Sequence, residues 1–186
     1  VTIRLAFCGS SGTGKSTLAT AIATELSLPM CPVGSREVSK SMGFDSPYDV
    51  DKAGQREEFQ RRLLIQKTVW ERDHPAGFVT DRTHLDNFAY TLMHKPGLAA
   101  DPDFAAAAYD ATAYYTHVIF CPLGAFQNIG NDPSRVSDAG YHRRYEDYLV
   151  KLMQGHGILG FLPSLLWLTA TDPDQRLDRV RRFVRL

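Results

Sequence analysis

Short apolar runs alternate with amphipathic stretches from one end of the chain to the other. Ile3-Arg4-Leu5-Ala6-Phe7-Cys8 has strand length, and Leu18, Ala19, Ile22, Ala23 and Leu26 follow it at helical spacing. Leu28 to Val33 is apolar but broken by Pro29 and Pro32, which predicts a brief strand or an extended connector. Ser35 to Lys40 reads as a short helix ending at Gly43, and the stretch from Gly43 to Gly54, with Asp45, Pro47, Asp49 and Asp51, reads as a loop. From Gln55 to Asp73, the residues Phe59, Leu63, Ile65, Val69 and Trp70 predict a helix with a core-facing stripe, with Arg56, Arg61, Arg62 and Arg72 mostly off it. Phe78 to Asp81 is a short buried strand, and Leu85, Phe88, Ala89 and Leu92 continue as a helix that stops before Pro96-Gly97. Asp101-Pro102 supplies a cap and a first-turn proline for an alanine-rich helix from Asp103 to about Tyr115. Thr116 to Pro122 is a further strand. A turn-rich segment follows, then a helix with Tyr145, Leu149 and Leu152 at core spacing, a last strand from Leu165 to Ala170, and a helix opened by Asp172-Pro173.

Strands alternating with helices over the whole length predict an α/β domain with a largely parallel sheet. The 186 residues fit one domain spanning 1–186, and 44% hydrophobic content is ample for a core. There are 21 basic and 21 acidic residues, so the formal net charge is zero, which argues against the broad basic footprint of a duplex-DNA binder. Arg61-Arg62, Arg143-Arg144 and Arg181-Arg182 are local clusters of the kind that usually lie on solvated helix faces. Cys8, Cys31 and Cys121 are widely spaced and form no C-x-x-C pair, so the expectation is a reducing, cytoplasmic setting without disulfides or zinc. The longest apolar stretch, Ile158 to Ala170, contains Gly160, Pro163 and Ser164 and falls short of the roughly 20 residues that span a bilayer. No membrane association and no signal peptide are expected.

One stretch carries chemistry outright. Gly9-Ser10-Ser11-Gly12-Thr13-Gly14-Lys15-Ser16-Thr17 fits the phosphate-cradle pattern G-x-x-x-x-G-K-[ST] at every required position, with a strand before it and a helix after it. Gly9, Gly12 and Gly14 free the backbone to turn its N–H groups, with those of Ser11 and Thr13, onto phosphate oxygens. The following helix adds its positive N-terminal end. Lys15 is then placed to neutralise β- and γ-phosphates and the Ser16 hydroxyl to ligate Mg²⁺, with Thr17 as a packing or helix-start residue.

The second informative position is Asp81-Arg82, directly after the Phe78 strand. In a parallel sheet the C-terminal strand edges share one ligand crevice, so Asp81 is expected near the Mg²⁺ and phosphates, as a metal or metal-water ligand or a proton acceptor. Arg82 is expected to face the acceptor or the transferred phosphoryl group. The plainer alternative makes Asp81 a cap for the helix opening at Thr83. The segment Leu123 to Gly140 carries Arg135 and leads into Arg143-Arg144; it reads as a lid over phosphates, or as an ordinary solvent loop. The loop from Ala170 to Pro173 lies at the same sheet edge, a place to meet a nucleobase.

With GSSGTGKST and FVTDRTHLDNFAY in view, the chain resembles the P-loop kinases of the nucleoside and nucleotide kinase group. It is similar in particular to thymidylate-kinase-like proteins and the ribosylnicotinamide kinase domain. The resemblance implies a P-loop NTPase fold with a five-stranded, mostly parallel sheet flanked by helices and an arginine-bearing lid at about 123–144. It also implies ATP with Mg²⁺ as donor and a small nucleoside or nucleotide as acceptor. Within SREVSKSMG, Glu37 falls where such kinases often place a carboxylate near the acceptor, which makes it a candidate base. Arg135, Arg143 and Arg144 fall where lid arginines occur. Two other readings remain: transfer to a hydroxyl of a nucleotide within DNA, and a nucleotide-dependent switch or ATPase with no small acceptor.

Overall fold

The computed structural model describes residues 2–126, 138–155 and 164–184. Its strands are β1 (Ile3–Cys8), β2 (Gly77–Thr80), β3 (His117–Phe120) and β4 (Leu165–Trp167), all parallel in the order β2-β1-β3-β4. The sequence leads to an expectation of five strands, and four are present among the described residues. The fifth position is held by a single bridge, in which Met30 pairs with Val79 beside β2. Cys31 N–H donates to Val79 O at 2.8 Å and Val79 N–H to Pro29 O at 2.9 Å, and the prolines on either side of Met30-Cys31 remove the donors a longer ladder needs.

The alternation of side chains along β1 sorts the core into two layers. Leu5 and Phe7 pack with Ile22, Ile119 and Val180 on one side, under helices α1 (Lys15–Leu26) and α9 (Pro173–Val184). Ala6 and Cys8 pack with Phe78, Leu85, Tyr145 and Leu149 on the other, under α5 (His84–His94) and α8 (Ala139–Gln154). Fully burying a side chain such as Phe7 or Leu5 contributes about 1.5–3 kcal/mol, so these two layers fix the sheet and therefore the strand edges. The remaining helices are α2 (Ser35–Ser41), α3 (Pro47–Lys52), α4 (Arg56–Arg72), α6 (Pro96–Ala99) and α7 (Pro102–Thr112). The short α3 lies inside the stretch expected to be loop: Ser46 caps it by accepting from Asp49 N–H, and Pro47 takes the first helical position.

Helix α4 is present where expected, but its inner face is not the apolar stripe. Ile65 and Val69 are 60% and 55% exposed, whereas Arg56, Gln60, Lys67 and Glu71 are buried along with Phe59 and Leu64. A polar inner face implies buried partners. Glu71 supplies the centre: its carboxylate meets Lys67 Nζ at 2.8 Å and His84 Nε2 at 2.8 Å, and accepts from Tyr115 Oη at 3.0 Å. Lys67 also reaches Thr80 Oγ1. Burial alone would push the Glu71 carboxyl up, but the Lys67 charge and the His84 contact outweigh it and bring its pKa to about 2.

A carboxylate held below its unfolded value contributes stability above that value and loses it as pH falls through the folded one. Wild-type protein should therefore lose roughly 3 kcal/mol between about pH 5 and pH 2 through this one group. Glu71→Gln should be less stable at pH 7 by roughly 3–5 kcal/mol, with a flatter acid limb. Denaturant melts of both proteins at pH 7, 5 and 3 check this; parallel pH profiles would contradict the assignment.

Candidate phosphate cradle and acceptor cavity

The loop from Gly9 to Gly14 joins β1 to α1 with Gly9, Gly12 and Gly14 all at positive φ. At Gly9 (φ 128) a Cβ would lie 2.4 Å from the carbonyl oxygen of Cys121, the residue that follows β3, so glycine is required there by space as well as by backbone. Lys15 is 5% exposed; its ammonium donates to Ser10 O and, at 3.2 Å, to Thr13 Oγ1. Burial pulls the Lys15 pKa below the ordinary lysine value, the Arg82 charge adds to that, and Asp81 and Asp86 oppose it.

Asp81 stands immediately after β2, at the same sheet edge. Ser16 Oγ donates to Asp81 Oδ2, so the two residues expected to share a metal are in contact. Asp81 does not cap α5: Thr83 does, in a reciprocal box with Asp86. The Arg82 guanidinium donates to Gly9 O at 3.3 Å, Asp86 Oδ1 at 3.2 Å, Tyr145 Oη at 3.2 Å and Ser11 Oγ at 3.3 Å, and it lies over the Tyr90 ring.

Beside the loop opens a cavity of about 180 Å³, with Ser11, Asp81 and Arg82 in its wall. Helix α4 contributes Arg56, Phe59, Gln60 and Lys67; α5 contributes Asn87 and Tyr90; α8 contributes Tyr141 and His142; Tyr48 comes from α3. The ring of His142 lies with Nδ1 2.8 Å from Ser10 Oγ, tying the first turn of α8 to the cradle.

A family model described as "AAA domain" matches residues 4–161. The chain belongs to the AAA domain family. Its fold is similar to that of NadR protein in complex with NR, at 15% identity and a TM-score of 0.72 over 100% of this chain and 52% of that one. It is also similar to deoxyadenosine kinase from M. mycoides (13% identity, TM-score 0.67, 98% of this chain and 99% of that one). Thymidylate kinase from Ehrlichia chaffeensis is a third case (13% identity, TM-score 0.59, 98% of both chains). The chain spans about half the length of the NadR chains it matches. No curated protein matches its sequence. The architecture is that of nucleoside- and nucleotide-kinase-like P-loop proteins.

Within this AAA domain the expected site residues divide. Gly9, Ser11, Gly12, Thr13, Gly14, Lys15, Ser16, Asp81 and Arg82 come together around the cradle, and Thr17 follows on the exposed side of α1. Glu37 does not join them. Gly34 and Ser35 line the cavity, but Glu37 is exposed in the first turn of α2, where an acidic side chain suits the helix's positive end. Arg143 and Arg144 are exposed in the first turns of α8, and Arg135 lies outside the described residues, as does the rest of 127–137 within the expected lid. No helix among the described residues is long and apolar enough to cross a membrane.

Arg176 of α9 belongs to the site although no motif announces it. It is 2% exposed, donates to Thr13 O at 2.7 Å and to Ala170 O at 3.1 Å, and carries the Phe126 ring over its guanidinium. It thereby braces the cradle against the loop after β4. Asp86 was readable as half of a Thr83-x-x-Asp86 capping pattern. Gln60, Lys67 and His142 gave no signal, since a buried polar residue and a solvated one look alike in sequence.

Gly9→Ala should destabilise the protein by roughly 2–5 kcal/mol, from the Cys121 contact and the backbone conformation together, and abolish ATP binding. Gly43→Ala, also at positive φ (85) but with open space around it, should cost only about 1–2 kcal/mol and leave binding intact. Melting curves and calorimetric titration with Mg–ATP compare the two; equal effects would show that the Cys121 contact is not what fixes the loop.

Proposed function

We propose that this domain transfers the terminal phosphoryl group of ATP to a nucleoside or nucleotide seated in the adjoining cavity. The observation that carries the reading is that Ser11, Asp81 and Arg82 belong to both places: they stand at the cradle and in the cavity wall. Donor and acceptor are therefore brought to one boundary, which is most of what phosphoryl transfer asks of a protein.

The residues fit the groups the reading requires. Gly9, Gly12 and Gly14 at positive φ let the loop turn its N–H groups toward phosphate oxygens. Asp81 Oδ1 is a buried carboxylate oxygen with no partner among the described residues, and Oδ2 accepts from Ser16, which together suit a hard cation at Ser16 and Asp81. A magnesium ion held there supplies charge neutralisation across the phosphates. Lys15 exchanges its contacts with Ser10 and Thr13 for phosphate oxygens. Arg82 presents its guanidinium to the group in transit, held in place by Asp86 and Tyr145. Asp81, as the carboxylate in the cavity wall, takes the role of proton acceptor in this reading, while Glu37 stands outside the wall beside Gly34. Tyr48, Phe59, Tyr90 and Tyr141 give the acceptor aromatic walls, and a compact cavity suits a small molecule better than a polymer.

A panel of nucleosides and nucleotides with Mg–ATP, read by product mass and by ADP release, tests the proposal. ADP release should rise with an acceptor, and Lys15→Ala should lose at least about 100-fold in turnover while melting normally. ATP consumption indifferent to every acceptor would favour a nucleotide-driven switch, the reading that the AAA domain match keeps in play.

A further inference from the structure

We propose, resting on the phosphotransferase reading above, that the acceptor carries no phosphate: it is a neutral, hydroxyl-bearing nucleoside rather than a nucleoside monophosphate. The argument is the charge and hydrogen-bond inventory of the cavity wall. Three cations line it, and each already faces a carboxylate. Arg56 grips Asp51 through Nε at 3.1 Å and Nη2 at 3.0 Å, Lys67 meets Glu71 at 2.8 Å, and Arg82 meets Asp86 at 3.2 Å. Of the three, Arg82 alone has appreciable exposed side chain, and it faces the group being transferred.

Among the described residues, a monophosphate entering this space would meet no lining arginine or lysine that lacks a carboxylate partner. To be received there it would have to draw Arg56 from the exposed Asp51 or Lys67 from the buried Glu71, the latter leaving a buried carboxylate uncompensated. The wall also holds two acceptors without donors of their own. Gln60, 1% exposed, and Asn87, 6% exposed, both line the cavity, and Gln60 Oε1 and Asn87 Oδ1 are buried oxygens with no hydrogen-bond partner among the described residues. Asn87 Nδ2 donates to the Gln60 backbone carbonyl at 3.3 Å, which fixes the amide so that its oxygen is the atom left open. Buried polar atoms are nearly always partnered, so these two call for O–H or N–H groups of a ligand. Sugar hydroxyls and the amino or amide edge of a base provide them without adding charge.

The step balances simply. The nucleoside hydroxyl oxygen forms a bond to the γ-phosphorus of ATP, the bond from that phosphorus to the bridging oxygen breaks with its electron pair going to ADP, and the hydroxyl proton passes to Asp81 and then to solvent.

The experiment pairs each nucleoside with its own 5′-monophosphate, measuring kcat/KM with Mg–ATP and, separately, calorimetric binding to the wild-type protein. Nucleosides should be favoured by at least about 100-fold. Gln60→Met should raise KM for the preferred nucleoside about tenfold or more, while Mg–ATP affinity stays unchanged and the melting temperature holds or rises, because an orphaned buried oxygen is removed. Monophosphates phosphorylated as well as nucleosides, or better, would overturn this inference and leave the phosphotransferase reading standing. Acceptor-independent ATP hydrolysis across the whole panel would overturn both. A Gln60→Met protein with unchanged nucleoside KM would overturn the role given to the open amide oxygens.

Discussion

One buried carboxylate holds the site together. Asp86, in the first turn of α5 and fully buried, receives five donors: Gly9 N–H at 3.2 Å, Arg82 Nη1 at 3.2 Å, Tyr145 Oη at 2.5 Å, and the N–H and hydroxyl of Thr83 at 2.8 and 2.7 Å. Those donors come from the loop after β1, the turn after β2 and α8. A carboxylate satisfied this completely, and charge-paired with Arg82, is stable in the interior where an unpaired one would not be. Its contacts set where the cradle begins and where Arg82 points.

The same logic recurs at each layer around that hub. Glu71 binds α4 to α5 and, through Tyr115, to the segment before β3, so the helix that supplies more of the cavity wall than any other cannot rotate without breaking its buried contacts to His84 and Tyr115. Arg176 fixes the far side of the cradle through the carbonyl of Thr13. Preorganisation of this kind is what a phosphate site needs, because the backbone N–H groups must already converge before the ligand arrives. Stability and function thus draw on the same few buried charges, and apolar packing of the two sheet layers supplies the frame that keeps them dry.

Much of this was legible in the chain itself. The cradle was, because Gly9, Gly14, Lys15 and Ser16 are each required by a local constraint that writes itself into sequence. Asp81-Arg82 was, because a carboxylate at the end of a short buried strand lands at a predictable edge. The inner face of α4 was not: periodicity of apolar residues selected Ile65 and Val69, while the buried positions were taken by Gln60, Lys67 and Glu71, whose partners lie on β2, α5 and the segment before β3. The surroundings of Glu37 were not legible for a related reason, since nothing local says which side of a short helix will face a cavity built by four other helices. The missing length of the edge strand was written in Pro29 and Pro32, and the short α3 in Ser46-Pro47, both readable as turn and cap chemistry.

The most direct measurement is a crystal structure of the protein with Mg²⁺ and a non-hydrolysable ATP analogue. The account predicts triphosphate oxygens on the N–H groups of the Gly9–Ser16 loop, Lys15 Nζ moved from Ser10 and Thr13 onto the phosphates, a metal ion at Ser16 and Asp81, and the Asp86 contacts to Gly9 and Arg82 unchanged. Nucleotide bound elsewhere, or a cradle that forms only by breaking the Asp86 contacts, would contradict it.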